Sequence, residues 1–257
     1  MTATRQHNQH IWELFWEQSI EEVYANSERI IDQIRAVGDI ENKRIMEVGA
    51  GSGRDSLKLV DLGAQAFVLD YAVNSLRRIR ELALKQQKTI HLVRGDAFHM
   101  PFKADSIDII FHQGLLEHFT NPEDILKESY YATKIGGRHI SDVPQRFHLY
   151  TVVKHLLIWL NRWFAGWETE FSIGQLKRLH TEAGYLVRSA YGDWMRPSFF
   201  YRATRQALKK VGIRLPLYPR RVPVLSALRD RWRGYFKKQR IAFYTFMDIG
   251  VVAEKKD

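Results

Sequence analysis

An acidic residue followed by three alternating glycines is the feature of the sequence most able to bind a ligand. Glu47 lies two positions before Gly49, and Gly51 and Gly53 follow at every second position. Glycine lacks a Cβ atom, so such a turn can take positive φ angles and bring backbone N–H groups close to a ligand. A carboxylate at the end of a buried strand is costly unless a cation pairs with it. The pattern predicts a nucleoside-type ligand with a cationic group. The open alternative is that Glu47 caps local backbone N–H groups or pairs with Arg54.

The residues around the glycine turn predict the elements that position it. The mostly apolar stretch 45–48 is typical of a buried strand, and apolar residues after Ser56 recur at helical spacing. A strand, a glycine turn and a helix together hold nucleotide-like ligands at the helix N-terminus. The dinucleotide fingerprint needs glycine or alanine where this chain has Arg54. A nicotinamide-dependent dehydrogenase is therefore the least favoured enzyme.

Two further predicted strands also end in an acidic residue. Asp70 follows the apolar run 66–69, and an acid at this position hydrogen-bonds ribose hydroxyls in nucleotide-binding α/β folds. Asp96 follows the strand predicted over 90–94 and could accept a hydrogen bond from an exocyclic amine, with the backbone N–H of Ala97 beside the base. The open alternatives are an N-cap for Asp70 and an Asx turn for Asp96.

Taken together, these motifs resemble class I S-adenosylmethionine-dependent methyltransferases of the type 11-like group. The resemblance rests on EVGAGSG at 47–53, on GDAFHMPFKADSIDIIF at 95–111 and on Leu-Glu-His at 116–118. It implies S-adenosyl-L-methionine as the cofactor. The cofactor-binding residues that it implies are Glu47, Gly49, Ala50, Gly51, Gly53, Asp70, Tyr71, Asp96 and Ala97, together with the backbone of His112, Gln113 and Gly114.

The resemblance also implies a reaction, the in-line transfer of a methyl group to an oxygen, nitrogen or carbon nucleophile. Such a reaction depends mainly on positioning, so a base is optional. His118 is the first candidate for that base because imidazole titrates near neutral pH, and His148 and Tyr150 follow it. Some relatives use Glu-x-x-Glu-His as metal ligands, but the first of these positions is Gly114 here, and we expect no metal. The open alternative is that Glu117 and His118 form a structural pair.

Composition limits the fold and its chemistry. The chain has 257 residues, of which 45% are hydrophobic and 12% aromatic, enough for one large packed domain. It contains no cysteine, which excludes disulfides, thiolate metal sites and a cysteine nucleophile. The N-terminus is polar and no long uncharged stretch occurs, so we expect neither a leader peptide nor a transmembrane helix.

Strand and helix patterns alternate along the chain, which predicts an α/β protein with a doubly wound parallel sheet. The family resemblance makes this a Rossmann-like sheet of seven strands with the last strand antiparallel. We expect a single domain, residues 1–257. Its parts are an N-terminal helical cover (1–40), a cofactor-binding half (41–144), an apolar lid helix (145–170), a basic insertion (193–240) and the last strand (241–253).

Two segments bear on the acceptor. The helix predicted over 147–164 is apolar nearly all round, with Lys154, His155 and Arg162 as its remaining polar face. It could be a lid over the acceptor pocket, an interfacial membrane helix with tryptophans at headgroup level, or a dimer face. The segment 202–240 holds 13 Lys and Arg residues against one acid, Asp230, whereas the rest of the chain is close to neutral. This local charge favours a local anionic partner.

The sequence therefore predicts a methyltransferase for a small-molecule or lipid-like acceptor at an anionic membrane surface. We expect a cytoplasmic protein, peripheral to the inner membrane face, whose oligomeric state is open. An RNA-modifying methyltransferase would also explain the basic segment. Against it, the chain has no Asn/Asp-Pro-Pro-Tyr/Phe motif of the kind that methylates base amines. A non-catalytic cofactor-binding protein with the same fold is the third hypothesis.

Overall fold

The computed structural model describes residues 12–14, 16–17, 28–160, 168–219 and 223–257. Its centre is a seven-stranded sheet with the strand order β3-β2-β1-β4-β5-β7-β6. The strands are β1 (Arg44–Val48), β2 (Gln65–Asp70), β3 (His91–Arg94), β4 (Ile107–Gln113), β5 (Thr133–Pro144), β6 (Leu186–Asp193) and β7 (Asp248–Glu254). Strands β1 to β5 are parallel, and β7 is antiparallel to both β5 and β6. The predicted Rossmann-like α/β fold with an antiparallel last strand is confirmed.

Helices lie around this sheet. Within the described ranges they are α1 (Arg29–Val37), α2 (Arg54–Asp61), α3 (Val73–Lys85), α4 (Pro122–Ala132), α5 (Leu149–Trp159), α6 (Ile173–Glu182), α7 (Phe199–Lys210) and α8 (Pro223–Phe236), with 3-10 turns at Leu116–His118 and Arg240–Tyr244. Residues 12–14 and 16–17 are also helical. Two of these helices begin with residues that favour a helix start: α4 begins at Pro122, and Ser172 caps α6 in a reciprocal capping box with Gln175.

Both faces of the central strands β1, β4 and β7 are buried, as their near-continuous apolar sequences require, whereas the edge strands β3 and β6 are partly exposed. Successive side chains of a strand point to opposite faces. Accordingly, Ile45 packs in a cluster with Ile31 of α1 and Leu59 of α2, whereas Met46 packs in a cluster with Leu126 and Leu176 of α4 and α6. The central strands are thus fixed from both sides, and their carboxyl ends are held at one edge of the sheet.

Helix α1 is fixed to the sheet by an ionic clamp. Arg29 donates two hydrogen bonds to the carboxylate of Asp142 on β5, at 2.7 and 2.6 Å. Its guanidinium also lies 3.1 Å from the carboxylate of Asp248 on β7. The side chain of Arg29 is buried, and a buried cation needs such partners. The predicted N-terminal helical cover (1–40) is helical at 12–14, 16–17 and 29–37. Residue 28 is a turn, 38–40 have no regular secondary structure, and the remaining positions lie outside the described residues.

The last strand is shorter than the predicted 241–253. Strand β7 begins at Asp248, and Arg240–Tyr244 forms a 3-10 turn instead. The side-chain amide of Gln145 donates a hydrogen bond to the backbone carbonyl of Phe243 at 2.5 Å. This carbonyl is therefore bonded to a side chain and not to the backbone of a neighbouring strand. The β-rich composition of this stretch reflects packing of its aromatic residues rather than sheet pairing.

Helix α5 is oriented differently from the prediction. Lys154, expected on the polar outer face, is only 1% exposed and lies against the protein interior. Its ammonium group bonds Glu168 at 2.7 Å and Glu170 at 2.8 Å. The predicted helix over 147–164 begins at Leu149 and ends at Trp159, and residues 161–167 lie outside the described part of the chain. The ion pairs, rather than the apolar side chains, attach this helix to the domain.

Candidate active site

A cavity of about 810 Å³ lies at the carboxyl ends of β1, β2 and β4. Among the predicted site residues it is lined by Glu47, Gly49, Ala50, Gly51, Asp70, Tyr71, Gln113, Gly114 and His118. A smaller cavity of about 40 Å³ is lined by Asp96 and Ala97 and shares Gly49, Asp70 and Tyr71 with the first. Gly53 and His112 are not among the lining residues of either cavity. The structure thus brings most of the predicted cofactor residues to one place.

The glycine turn has the backbone conformation that its sequence predicts. Gly49, Gly51 and Gly53 have φ angles of 68°, 54° and 63°, a region that other residues rarely adopt. A Cβ atom on Gly49 would lie 2.7 Å from Leu115 Cδ1, and one on Gly51 would lie 2.5 Å from Trp16 Cζ2. Both the φ angle and the space therefore require glycine, and the backbone stays exposed to the cavity.

Glu47 is the buried carboxyl group at the end of β1. One of its oxygens accepts hydrogen bonds from the hydroxyl of Ser56 at 2.5 Å and from the backbone N–H of Ser56 at 3.2 Å. Arg54 pairs with Asp55 at 2.8 Å. Capping of a local N–H group, one open alternative for Glu47, is therefore present. Burial and the neighbouring Asp55 raise the pKa of Glu47 to about 8, so a cationic group entering the cavity would favour its ionised form.

Asp70 joins β2 to the glycine turn and to helix α3. One carboxylate oxygen accepts from the backbone N–H of Ala72 at 2.9 Å. The other accepts from the Ser75 hydroxyl at 3.0 Å and from the backbone N–H of Gly51 at 3.3 Å. Burial raises the pKa of Asp70, although these hydrogen bonds oppose that change. The carboxylate is thus held in one position at the cavity wall.

Asp96 and the aromatic residues after it form the smaller cavity. The Asp96 carboxylate accepts from the backbone N–H of Phe98 at 3.0 Å, which is the Asx turn left open as an alternative. Phe98 and Phe119 meet edge to face with ring centroids 5.1 Å apart. Val48, Leu69 and Ala97 complete the apolar wall. A slot lined by two acids, Asp70 and Asp96, and by apolar walls matches a flat heterocycle that carries an amine.

The N-terminal segment closes one side of the larger cavity. Trp12 and Trp16 line it, and Trp12 meets the ring of His118 edge to face at 5.0 Å. The carboxylate of Glu13 accepts from the backbone N–H groups of Val73 at 2.8 Å and Asn74 at 3.2 Å, at the start of α3. The segment was predicted as a helical cover without a chemical role. Two tryptophans four residues apart lie on one face of a helix, and this spacing could have predicted their place in the cavity wall.

His118 is the predicted base that reaches the cavity. Its Nδ1 lies 3.9 Å from a carboxylate oxygen of Glu168, whose other oxygen accepts from Lys154 at 2.7 Å. Burial lowers the pKa of His118, and the Glu168 carboxylate opposes this effect. The imidazole is therefore neutral at neutral pH and can accept a proton. Glu117, the residue before His118, is buried, and burial and the Glu168 carboxylate raise its pKa well above its ordinary value.

The two lower-ranked base candidates lie elsewhere. His148 caps helix α5, and its Nδ1 accepts from the backbone N–H of Tyr150 at 3.1 Å. Neither residue is among those that line the two cavities. Burial lowers the pKa of His148, which favours its neutral form. Burial raises the pKa of Tyr150, which opposes loss of its hydroxyl proton. His148 thus caps the start of α5, and Tyr150 lies in the first turn of that helix.

His112 directs its ring into the core, where it begins a row of three buried histidines. His112 and His139 have ring centroids 5.2 Å apart, and His139 Nδ1 lies 3.1 Å from His180 Nε2. His180 Nδ1 donates to the Leu176 carbonyl at 2.8 Å, so its Nε2 is the acceptor in that contact. Burial lowers the pKa of His112 to about 3 and that of His180 to about 4. Neither ring nitrogen of His112 has a hydrogen-bond partner in the described structure.

Across the described ranges, no group of three or more His, Cys, Asp or Glu side chains is arranged to hold a metal ion. The position that carries the first metal-ligand glutamate in some relatives is Gly114, where an added Cβ would lie 3.3 Å from Glu117 Oε1.

Comparison with known proteins agrees with this geometry. Residues 46–141 match the family model of the methyltransferase domain. The chain is 29% identical over 105 residues to demethylmenaquinone methyltransferase of Renibacterium salmoninarum, covering 41% of this chain and 43% of that protein. It is 30% identical over 109 residues to the ubiquinone biosynthesis O-methyltransferase of Hydrogenovibrio crunogenus, covering 42% and 45%. The matches thus span less than half the length of these curated relatives.

A solved structure shares the fold over almost the whole chain. Phosphoethanolamine N-methyltransferase 2 of Haemonchus contortus, in complex with phosphomonomethylethanolamine and S-adenosylhomocysteine, superposes with a TM-score of 0.63 at 16% identity. The superposition covers 97% of this chain and 58% of that one. The sheet order, the acids at the strand ends and the family match all support a methyltransferase domain. Residues 46–141 are a methyltransferase domain, set in a chain with the fold of class I S-adenosylmethionine-dependent methyltransferases.

Proposed function

We propose that the protein transfers the methyl group of S-adenosylmethionine to a small-molecule, lipid-like acceptor. One observation carries this proposal: Glu47, Asp70 and Asp96, from the ends of three strands, line two joined cavities around the glycine turn. Glu47 suits the ammonium group of the methionine part, Asp70 the ribose hydroxyls and Asp96 the adenine amine. The residues that the fold places together therefore fit the cofactor that the resemblance implies.

The roles of the remaining residues follow from their positions. When bound, S-adenosylmethionine supplies a methyl group attached to a positively charged sulfur. The protein contributes mainly the orientation of the two reactants and the exclusion of water. His118 is the residue that we assign to accept a proton from an acceptor O–H or N–H group. Glu168, 3.9 Å from its Nδ1, would stabilise the imidazolium that forms.

The acceptor is inferred from the wall of the larger cavity and from the relatives. Trp12, Trp16, Leu115 and Phe119 give the cavity an apolar side next to His118. The two curated relatives are named for menaquinone and ubiquinone biosynthesis. Both observations support an aromatic acceptor with a lipid tail, of the quinone-precursor kind. We propose that such an acceptor is met at a membrane surface.

Calorimetric titration with S-adenosylmethionine tests the cofactor assignment. We expect micromolar binding by the wild type, with at least about tenfold weaker binding by Asp70→Asn because its hydrogen bonds to the ribose become weaker. Asp32→Asn, at an exposed position of α1, is the control and should bind like the wild type. Melting curves of both variants separate a loss of binding from a loss of folding. A folded wild type that binds NADH or RNA but no S-adenosylmethionine would refute the proposal.

An RNA-modifying methyltransferase is the second candidate, favoured by the exposed basic residues of α8. It predicts RNA affinity that falls steeply with salt. Fluorescence anisotropy with a structured RNA measures this directly. A non-catalytic cofactor-binding protein would bind S-adenosylmethionine but transfer no methyl group to any of a panel of quinols, lipids and RNAs. Methyl-transfer assays with radiolabelled cofactor distinguish these two candidates from the first.

A further inference from the structure

Helix α5 buries a polar side and exposes an apolar one. Its fully or nearly buried residues are Thr151 and Lys154, and the latter is held by the Glu168 and Glu170 carboxylates. The apolar residues on the opposite side are 51–79% exposed: Leu149, Val152, Leu156 and Trp159. A surface helix of a globular protein normally has the reverse arrangement. Because the ion pairs fix its rotation, the fold itself presents the apolar stripe outwards.

Helix α8 carries a second exposed apolar stripe. Its members are 58–70% exposed and follow helical spacing: Val224, Leu228, Trp232 and Tyr235. The turn Arg240–Tyr244 follows closely, with Ile241 and Tyr244 each 60% exposed. Phe147, just before α5, meets Tyr244 with ring centroids 5.5 Å apart. Phe147 thus links the start of α5 to the turn that follows α8 in the chain. The two stripes and this turn are together named the apolar face.

The charges beside the apolar face identify its partner. Arg229, Arg231, Lys238 and Arg240 are exposed, and segment 202–240 holds a single acid. A second copy of the chain would bring these like charges together, which is unfavourable. RNA would match the charge but would leave the apolar stripes in water. An anionic bilayer matches both, because lipid phosphates attract Lys and Arg while the acyl boundary accepts apolar side chains.

We propose that the apolar face docks on the surface of an anionic lipid bilayer. Tryptophan and tyrosine, which have an apolar body and a polar tip, suit the headgroup level. In the described part of the chain, no helix is long and apolar enough to cross a membrane. The proposal rests on the proposed function for its purpose: Glu168 holds Lys154 of α5 and lies 3.9 Å from His118. Glu168 thus connects the docking helix α5 to His118, which lines the cavity that would receive a lipid-like acceptor.

Vesicle sedimentation tests the proposal with the full chain. The probes are vesicles of phosphatidylcholine mixed with phosphatidylglycerol, and vesicles of phosphatidylcholine alone, each at low and high salt. We expect binding to the mixed vesicles at low salt, weaker binding at high salt because the charges are screened, and much weaker binding to phosphatidylcholine alone.

Two variants separate the apolar and the charged contributions. The apolar variant combines Val152→Ser, Leu156→Ser and Trp159→Ser, and we expect a partition coefficient lower by about tenfold or more. The charge variant combines Arg229→Gln, Arg231→Gln and Lys238→Gln, and we expect a loss of about 100-fold at low salt. The control combines Leu84→Ser, Tyr131→Ser and Ile135→Ser, which remove equally exposed apolar groups elsewhere and should leave the partition coefficient unchanged.

Three results would overturn the proposal. The first is no binding of the folded wild type to mixed vesicles at low salt. The second is equal loss of binding in the apolar variant and its control. The third is a dimer, seen by light scattering, that the apolar variant converts to a monomer. Calorimetry with S-adenosylmethionine on the same samples tests the proposed function separately from the docking surface. Cofactor binding without vesicle binding refutes only the docking surface, and vesicle binding without cofactor binding refutes only the proposed function.

Discussion

Replacing His112 with leucine should make the protein less sensitive to acid. The ring of His112, on β4, is fully buried in the core beside His139. Its two nitrogens have no hydrogen-bond partner in the described structure. Burial lowers its pKa to about 3, against an ordinary value of 6.5. Below pH 6.5 the unfolded chain therefore binds a proton that the folded protein does not, and stability is lost as the pH falls towards 3.

The size of the effect follows from this difference. One proton bound only in the unfolded state changes the free energy of unfolding by about 1.4 kcal/mol per pH unit. Between pH 7 and pH 5 the wild type should thus lose about 2 kcal/mol that His112→Leu does not lose. The variant should also be at least as stable at pH 7, because the buried unpartnered imidazole costs about 1–3 kcal/mol. Leucine fills a similar volume and leaves the backbone at this position unchanged.

Urea unfolding followed by tryptophan fluorescence at the two pH values measures the effect. Glu47, with a pKa of about 8, and Asp248, with a pKa of about 6, change stability in the opposite direction, since acid favours their folded forms. They do so equally in both proteins, so the difference between variant and wild type cancels them. His99→Leu, at an exposed position, is the control. An unchanged difference between pH 7 and pH 5 would show that the folded ring accepts a proton, and would refute the reasoning.

Three further predictions concern the site and its supports. Gly51→Ala should weaken S-adenosylmethionine binding at least about tenfold, because its Cβ would overlap Trp16 and the φ angle of 54° is strained for alanine; calorimetry showing wild-type affinity would contradict this. Lys154→Met should cost about 3–5 kcal/mol of stability, because two buried carboxylates lose their cation. The matched control Arg178→Met breaks an exposed pair and should cost nothing measurable, so equal losses would count against a buried network. His118→Gln should slow methyl transfer without weakening cofactor binding, and should remove the fall in rate as the pH drops through the lowered pKa of His118; an unchanged pH–rate profile would exclude His118 as the base.

The cofactor side of the site could be predicted from the sequence because its signals are local. The positive φ angles at Gly49, Gly51 and Gly53 are a property of residue type, and an acid after an apolar run marks a strand end. The alternation of strands and helices then predicts that these ends meet at one edge of the sheet. The confirmed fold follows from the same local patterns, with boundaries that shift by a few residues.

The acceptor side depends on contacts between distant residues, which the local pattern does not contain. The apolar composition of α5 indicates a helix but not its rotation, which Glu168 and Glu170 decide through Lys154. The ring of His112 faces the core rather than the cavity because it packs against His139, a residue on the neighbouring strand. The role of Trp16 depends on Gly51, which lies in another element. Each of these positions is fixed by tertiary packing, so propensity and spacing could not predict it.

The strand order has a consequence for how the chain folds during synthesis. Strand β6 forms the edge of the sheet and pairs with β7, and β7 lies between β5 and β6. The last strand in the described chain order is therefore an inner strand, and β6 leaves the ribosome before its neighbour exists. Asp248 at the start of β7 also completes the ionic clamp on Arg29. The sheet and the clamp on α1 are thus finished by the same late step, so a nascent chain that stops before residue 248 has the strands of the cofactor half without their last inner neighbour.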